Sequence, residues 1–203
     1  MKIDGFEFNG TVANDSIVTN LIFLDSTDRQ KYILGGVFNS LKDEYQFSFL
    51  PGQVVLNYNP WTVPADNYVR FGGSKIVAKD IILTNGREKI IIDSREDAAS
   101  TLLIGFRELN LEYLVSMVTA EKPVSGLLHG DIYVVPDTSN MTFTADIGIR
   151  DFNISNIPWG DVTLGVSRKT ADGFDVKFAV QSDKNDLRAG GYYITGDGPQ
   201  VNV

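Results

Sequence analysis

Met141-Thr142-Phe143-Thr144-Ala145-Asp146-Ile147-Gly148-Ile149-Arg150 carries an apolar side chain at every odd position and a polar residue or glycine at every even one. Successive side chains of a strand point to opposite faces, so this stretch reads as a strand with one apolar and one wet face. The pattern returns in Val162, Leu164 and Val166, separated by Thr163 and Gly165. It returns again in Phe174, Val176, Phe178 and Val180, with Asp175, Lys177 and Ala179 between. Asp172-Gly173 separates these last two runs and favours a tight hairpin, because both residues tolerate positive φ. The spacing predicts neighbouring antiparallel strands of one sheet with a shared apolar face. What covers that face is the functional question.

Outward from this stretch the same grammar holds. Toward the N-terminus, short alternating runs such as Tyr45-Gln46-Phe47-Ser48-Phe49 are punctuated by Asn9-Gly10, Asp25 to Asp28 and Gly35-Gly36, read as turns or bulges. Pro51-Gly52 reads as the turn that ends the Tyr45 strand. Val54, Leu56 and Tyr58 form a further alternating face, closed by Asn59-Pro60-Trp61. Asn85-Gly86 between Ile81-Ile82-Leu83 and Ile90-Ile91-Ile92 is a strong hairpin signal. One segment breaks the pattern: Leu111, Leu114, Val115 and Val118 fall at helical spacing. Asn110 is a natural N-cap and Lys122-Pro123 a stop, which predicts one short amphipathic helix near 111–119. Strands resume at Gly126 and include Leu187 to Ile194. No linker or domain boundary interrupts residues 1–203, which read as a single β-groove segment. The start, Met1 to Phe6, has no signal-peptide apolar region, and Gly196 to Val203 reads as a strand just beginning. The chain is then either cytosolic or a piece cut from a longer exported chain, and the strand beginning at its end favours the piece.

Composition narrows the function classes. The 203 residues include 43% hydrophobic and 22% charged residues, as a folded chain should. A net charge of −8 disfavours a nucleic-acid backbone or anionic lipid headgroups as electrostatic partners, but not acyl chains. The chain has no cysteine and one histidine, so a disulfide framework is excluded and transition-metal sites are disfavoured. That histidine, His129, lies in Gly126-Leu127-Leu128-His129-Gly130 with no nucleophile-elbow motif in the chain, and reads as an ordinary strand or turn residue. The acidic groups Asp25/Asp28, Asp93/Glu96/Asp97 and Asp183/Asp186 lack calcium-loop spacing and read as solvated turns. No phosphate-binding glycine loop precedes a helix. No stretch points to the paired carboxylates of a glycosidase. Pro60-Trp61 and Pro158-Trp159-Gly160 read as large rings covering sheet ends before a stacking site. No catalytic residue, metal ligand or cofactor is assigned.

Val55 to Pro64, Tyr68-Val69-Arg70-Phe71, Ile76 to Gly86 and Lys89-Ile90-Ile91-Ile92 together resemble the TamB family (translocation and assembly module) as seen in Bacteroidetes-type bacteria. Leu109 to Val118, Ser125 to Gly130 and Ala189-Gly190-Gly191-Tyr192-Tyr193 extend the resemblance over residues 20–195. It rests on diffuse strand patterns, not a catalytic signature. The resemblance implies a periplasmic cell-envelope protein anchored in the inner membrane. It further implies an outer-membrane barrel similar to TamA or BamA as partner and a role in outer-membrane protein assembly and secretion. TamB-like proteins also look like bridge-like lipid-transfer proteins, whose curled sheet forms a trough for phospholipid acyl chains. This chain lacks the family's N-terminal anchor and most of its length, which implies an internal fragment.

The resulting expectation is an all-β chain: an elongated, curled antiparallel sheet (a β-taco or half-barrel) with an apolar groove and one short helix. The groove candidates are Phe143, Ala145, Ile147 and Ile149, then Val162, Leu164 and Val166, then Phe174, Val176 and Phe178. The alternative is a β-sandwich adhesion or glycan-binding module whose apolar face is filled by a second sheet. Unpaired sheet edges add an expectation of edge-to-edge self-association.

Overall fold

The computed structural model describes residues 3–72, 75–95, 101–118, 124–135, 142–170, 173–184, 186–194 and 200–202. They form antiparallel strands and one short helix, in two sheets. The first contains β1 (Ile3–Ala13), β2 (Ser16–Asp25), β3 (Gln30–Ser40) and β4 (Tyr45–Leu56). It continues with β5 (Asn59–Trp61), β6 (Tyr68–Gly72) and β7 (Lys75–Lys79). The second begins with β8 (Ile81–Asn85), β9 (Glu88–Ser94) and β10 (Leu102–Asn110), followed by α1 (Leu111–Val118). It runs on through β11 (Val124–Val135), β12 (Thr142–Ile154), β13 (Ile157–Thr170), β14 (Gly173–Gln181), β15 (Asp186–Ile194) and β16 (Gln200–Asn202). Each strand of this nine-stranded sheet pairs with its sequence neighbours. The result is an all-β chain whose sheets curl without closing into a barrel.

The sheets are joined at a seam. β4 has two partners on one edge: Tyr45–Phe47 pair with β6, and Val54–Leu56 pair with β5. Between them the Asn67 side chain acts as a surrogate strand. Its Oδ1 accepts from Phe49 N (2.8 Å), and its Nδ2 donates to Phe49 O (2.9 Å) and Pro64 O (2.7 Å). This satisfies backbone groups that the partner switch would otherwise leave unpaired. Beyond β5, Thr62 and Thr84 exchange both backbone hydrogen bonds at 2.9 Å, linking the sheets edge to edge. The core sits at this seam. Trp61, Val54 and Leu56 from the first sheet share one buried cluster with Leu83, Leu109 and Leu128 from the second. Tyr113 and Leu114 of α1 pack against it.

The curl comes from bulges placed side by side. Register slips occur between Phe106 and Leu109 in β10, Ser125 and Leu127 in β11, and Ile149 and Phe152 in β12. Glu108 and Asp151 have positive φ at two of these slips, and an Arg150–Glu108 ion pair of 2.9 Å spans them. Each bulge bends its strand and sharpens the twist, so a row of them bends the whole sheet along one line. Gly130 serves the same bend at φ +127°. A Cβ there would meet the Asp146 carbonyl oxygen and lie 2.8 Å from Ile147 Cα.

Several local expectations are corrected. Asn9-Gly10 lies inside β1, and the β1–β2 connection is Asn14-Asp15. Pro51-Gly52 does not end β4. Leu34 pairs with Val54 and Gly36 with Phe49, so residues 50–53 bulge out opposite the single Gly35 and the strand continues. Tyr58 does not share the Val54 face, because Asn57 and Tyr58 are a positive-φ turn between Leu56 and Asn59. Asn59-Pro60-Trp61 is itself a strand, and Trp61 is core, 1% exposed. Thr170 pairs with Gly173, which therefore opens β14 and is not a turn residue. Helix α1 matches the expected segment, with Glu112 N donating to Asn110 Oδ1 (3.0 Å) as an N-cap should. Lys122-Pro123, Asp172, Glu96 and Asp97 lie outside the described residues.

Candidate functional site: an apolar trough

The register places all ten groove candidates on one face. Ala145 pairs with Val166, Ile147 with Leu164 and Ile149 with Val162. Val166 in turn pairs with Val176 and Leu164 with Phe178. Phe143 reaches across β13 to stack on Phe174, the ring centroids 5.0 Å apart. The same face continues into β11 through Ile132 and Leu128, and into β10 through Ile104 and Phe106. Beyond these it passes to Ile92 and Ile90 of β9. There it meets the seam core, from which Tyr32 and Phe23 carry the face on to Phe6 of β1.

The face is concave over β12–β15. One cavity of about 410 Å³ lies against Ile147, Ile149, Val162, Leu164 and Phe178. A second, of about 380 Å³, adjoins it at Phe178 and is walled by Val176, Ala189, Gly191 and Tyr193. Each is the size of a small-molecule pocket. The first is lined only by hydrophobic side chains. Asp146, Thr163, Lys177 and Arg188 occupy the opposite face, around a hollow of about 510 Å³ that also touches Phe178 and Ala189.

The alternation did not reveal every wall residue. Phe152, Ile154, Trp159 and Leu187 also line the first cavity. The bulge at 150–151 inserts an extra residue, so the apolar face moves from odd to even positions after Ile149. Alternation counted from Phe143 therefore stops one turn early. Leu187 was accessible in principle, since Leu187, Ala189, Gly191 and Tyr193 continue the period-two pattern onto the same face.

Other expected or possible chemical groups lie elsewhere. His129 faces away from the trough, with its ring over Gly148 on the neighbouring strand. Asp25 is not a solvated turn residue: it is 2% exposed. Its Oδ1 accepts from Thr27 N, Thr27 Oγ1 and Arg29 N, and its Oδ2 accepts from Tyr58 Oη at 2.6 Å. The Tyr58 and Thr27 hydroxyls hold this carboxyl well below the usual range, and burial together with Asp25 pushes Tyr58 up to about 12. The cluster staples the β2–β3 turn to the β4–β5 turn. Among the described residues no three metal-ligating side chains converge, and no helix is long and apolar enough to cross a membrane.

No family model matches the chain, and no curated protein or solved structure matches it either.

Proposed function

We propose that this chain is a non-enzymatic, acyl-chain-binding segment of a TamB-like cell-envelope protein. In that role its trough would shield lipid tails during phospholipid transfer between membranes and in outer-membrane protein assembly. The whole protein would sit in the periplasm, anchored in the inner membrane, with a TamA- or BamA-like outer-membrane barrel as partner. The observation that carries the reading is the one-sided trough. Apolar side chains continue across β12–β15 on a single face, while Asp146, Thr163, Lys177 and Arg188 stand on the other. The family resemblance of the strand pattern supplies the envelope context. Each CH₂ buried in such a surface contributes ~0.8 kcal/mol, so a tail can be held without a headgroup-specific contact.

The test is organic extraction of the purified protein followed by mass spectrometry. Phospholipid is expected in the native chain and absent from Ile147→Arg, whose circular dichroism should stay strand-rich. In cells, photo-crosslinkers at Ile147 and Leu164 should form lipid adducts, and those at Asp146 and Thr163 should not. Equal adducts on both faces, or no lipid in the extract, would overturn the proposal.

A further inference from the structure

The turn joining β12 and β13 gathers large apolar side chains at a hairpin tip. Asn153-Ile154-Ser155-Asn156-Ile157-Pro158-Trp159-Gly160 holds no charged residue, in a chain where 22% of residues are charged. Ile154 pairs with Ile157 across Ser155 and Asn156, whose φ of 50° and 65° make a tight two-residue hairpin. The hairpin presents its large apolar groups to solvent: Ile157 is 63% exposed and Trp159 39%. Gly160, at φ +100°, closes this end against the backbone of Gln181, where a side chain would not fit. Below the tip the charge returns at Asp151 and Asp161, with Asp151 N donating to the Asp161 carboxylate at 3.0 Å.

We propose that this hairpin tip docks on the surface of a phospholipid bilayer, placing Ile154, Ile157 and Trp159 at the headgroup–acyl boundary. Tryptophan and aliphatic side chains beside polar asparagine and serine suit that boundary, where one end of the group is apolar and the other wet. Three extended residues separate Asp151 from the turn and four separate Asp161, a reach of roughly 13 Å or more, which exceeds the ~5–10 Å depth of interfacial elements. The Asp151–Asp161 pair then sets the limit of insertion and favours neutral or zwitterionic lipid over anionic lipid. A protein partner is the weaker fit, because a two-stranded tip offers far less than the ~1,200 Å² of a stable interface. Ile154 and Trp159 also line the 410 Å³ cavity, so a tail leaving the bilayer along the hairpin would pass into the trough without crossing water. This last step rests on the trough reading; the docking itself does not.

The chain supplies its own probe. Of its two tryptophans, Trp61 is 1% exposed and already in an apolar core, so a change in emission on docking reports Trp159. Phosphatidylcholine vesicles should shift that emission to the blue, and acyl-brominated phosphatidylcholine should quench it. The protein should float with vesicles in a density gradient. Ile157→Asp should reduce flotation by about tenfold or more, whereas Thr163→Asp on the opposite face should not. Ile157→Leu should float normally. Lipid co-purified with Ile157→Asp should remain, which separates a failure of docking from a failure of the trough. Ile157→Asp floating as well as the native chain, or Trp159 emission neither shifted nor quenched by vesicles, would overturn the proposal.

Discussion

Asp25 shows how one residue can matter more than its sequence neighbourhood indicates. It sits in an acidic, turn-like stretch, yet four donors converge on its carboxylate, and the closest is the Tyr58 hydroxyl, thirty-three positions away. Sequence reasoning saw the turn but not the partner, because nothing local to Asp25 encodes a contact made by the β4–β5 turn. The pH consequences differ in sign for the two groups. The folded state holds Asp25 ionised more firmly than the unfolded chain does. As pH falls past the ordinary value near 3.8, the unfolded state takes up protons first and stability declines. That decline continues until the folded carboxyl itself titrates. Tyr58 behaves oppositely. Its raised folded value stabilises the protein up to about pH 10, and this contribution is lost as pH rises toward about 12. Urea midpoints measured against pH should therefore show Asp25→Asn with a shallower acid decline and Tyr58→Phe with a shallower loss between 10 and 12. Tyr58→Phe retaining the full alkaline slope would show that Tyr58 ionisation is not the source of the alkaline loss.

At the scale of elements, the parts readable in the sequence are those whose side-chain period is unbroken. The strands β12 to β14 and the helix α1 follow directly from alternation and from i, i+3, i+4 spacing. The parts that were missed are where inserted residues change the phase, three at 50–53 in β4 and one at 150–151 in β12. A bulge is a property of a strand pair, so one strand read alone does not display it. Two substitutions test the devices that shape the elements. Gly130→Ala would force a Cβ into the backbone of β12 and hold alanine at φ +127°, and should cost more than about 1 kcal/mol in urea unfolding. A neutral outcome would show that the row of bulges, not this glycine, carries the bend. Asn110→Ala removes the side-chain acceptor of Glu112 N and should cost about 1 kcal/mol, with a small loss of helical circular dichroism.

For the whole molecule, the trough face reaches both ends of the strand order, but the two ends are not equivalent. At one end, among the described residues, β16 covers Tyr192–Ile194 of β15, and the outer edge of β15 beyond it carries the exposed Asp186–Arg188 pair. Charges on an edge discourage strand addition. At the other end β1 has no outer partner strand among the described residues, and Phe6 and Phe8 are each 59% exposed on the trough face. This edge has the unpaired N–H and C=O groups, and the apolar row, that favour pairing with a second copy. Antiparallel β1–β1 pairing about a two-fold axis keeps both trough faces on the same side. The register that sets Phe6 opposite Phe8 of the second copy also sets Glu7 opposite its own counterpart on the other face, where like charges repel. Sedimentation equilibrium should accordingly show a concentration-dependent dimer that tightens with added salt and in Glu7→Gln, and that Phe8→Lys abolishes. Association that survives Phe8→Lys would place the contact elsewhere. A dimer indifferent to both salt and Glu7→Gln would show that β1 pairs in another register, one in which Phe6 and Phe8 do not meet.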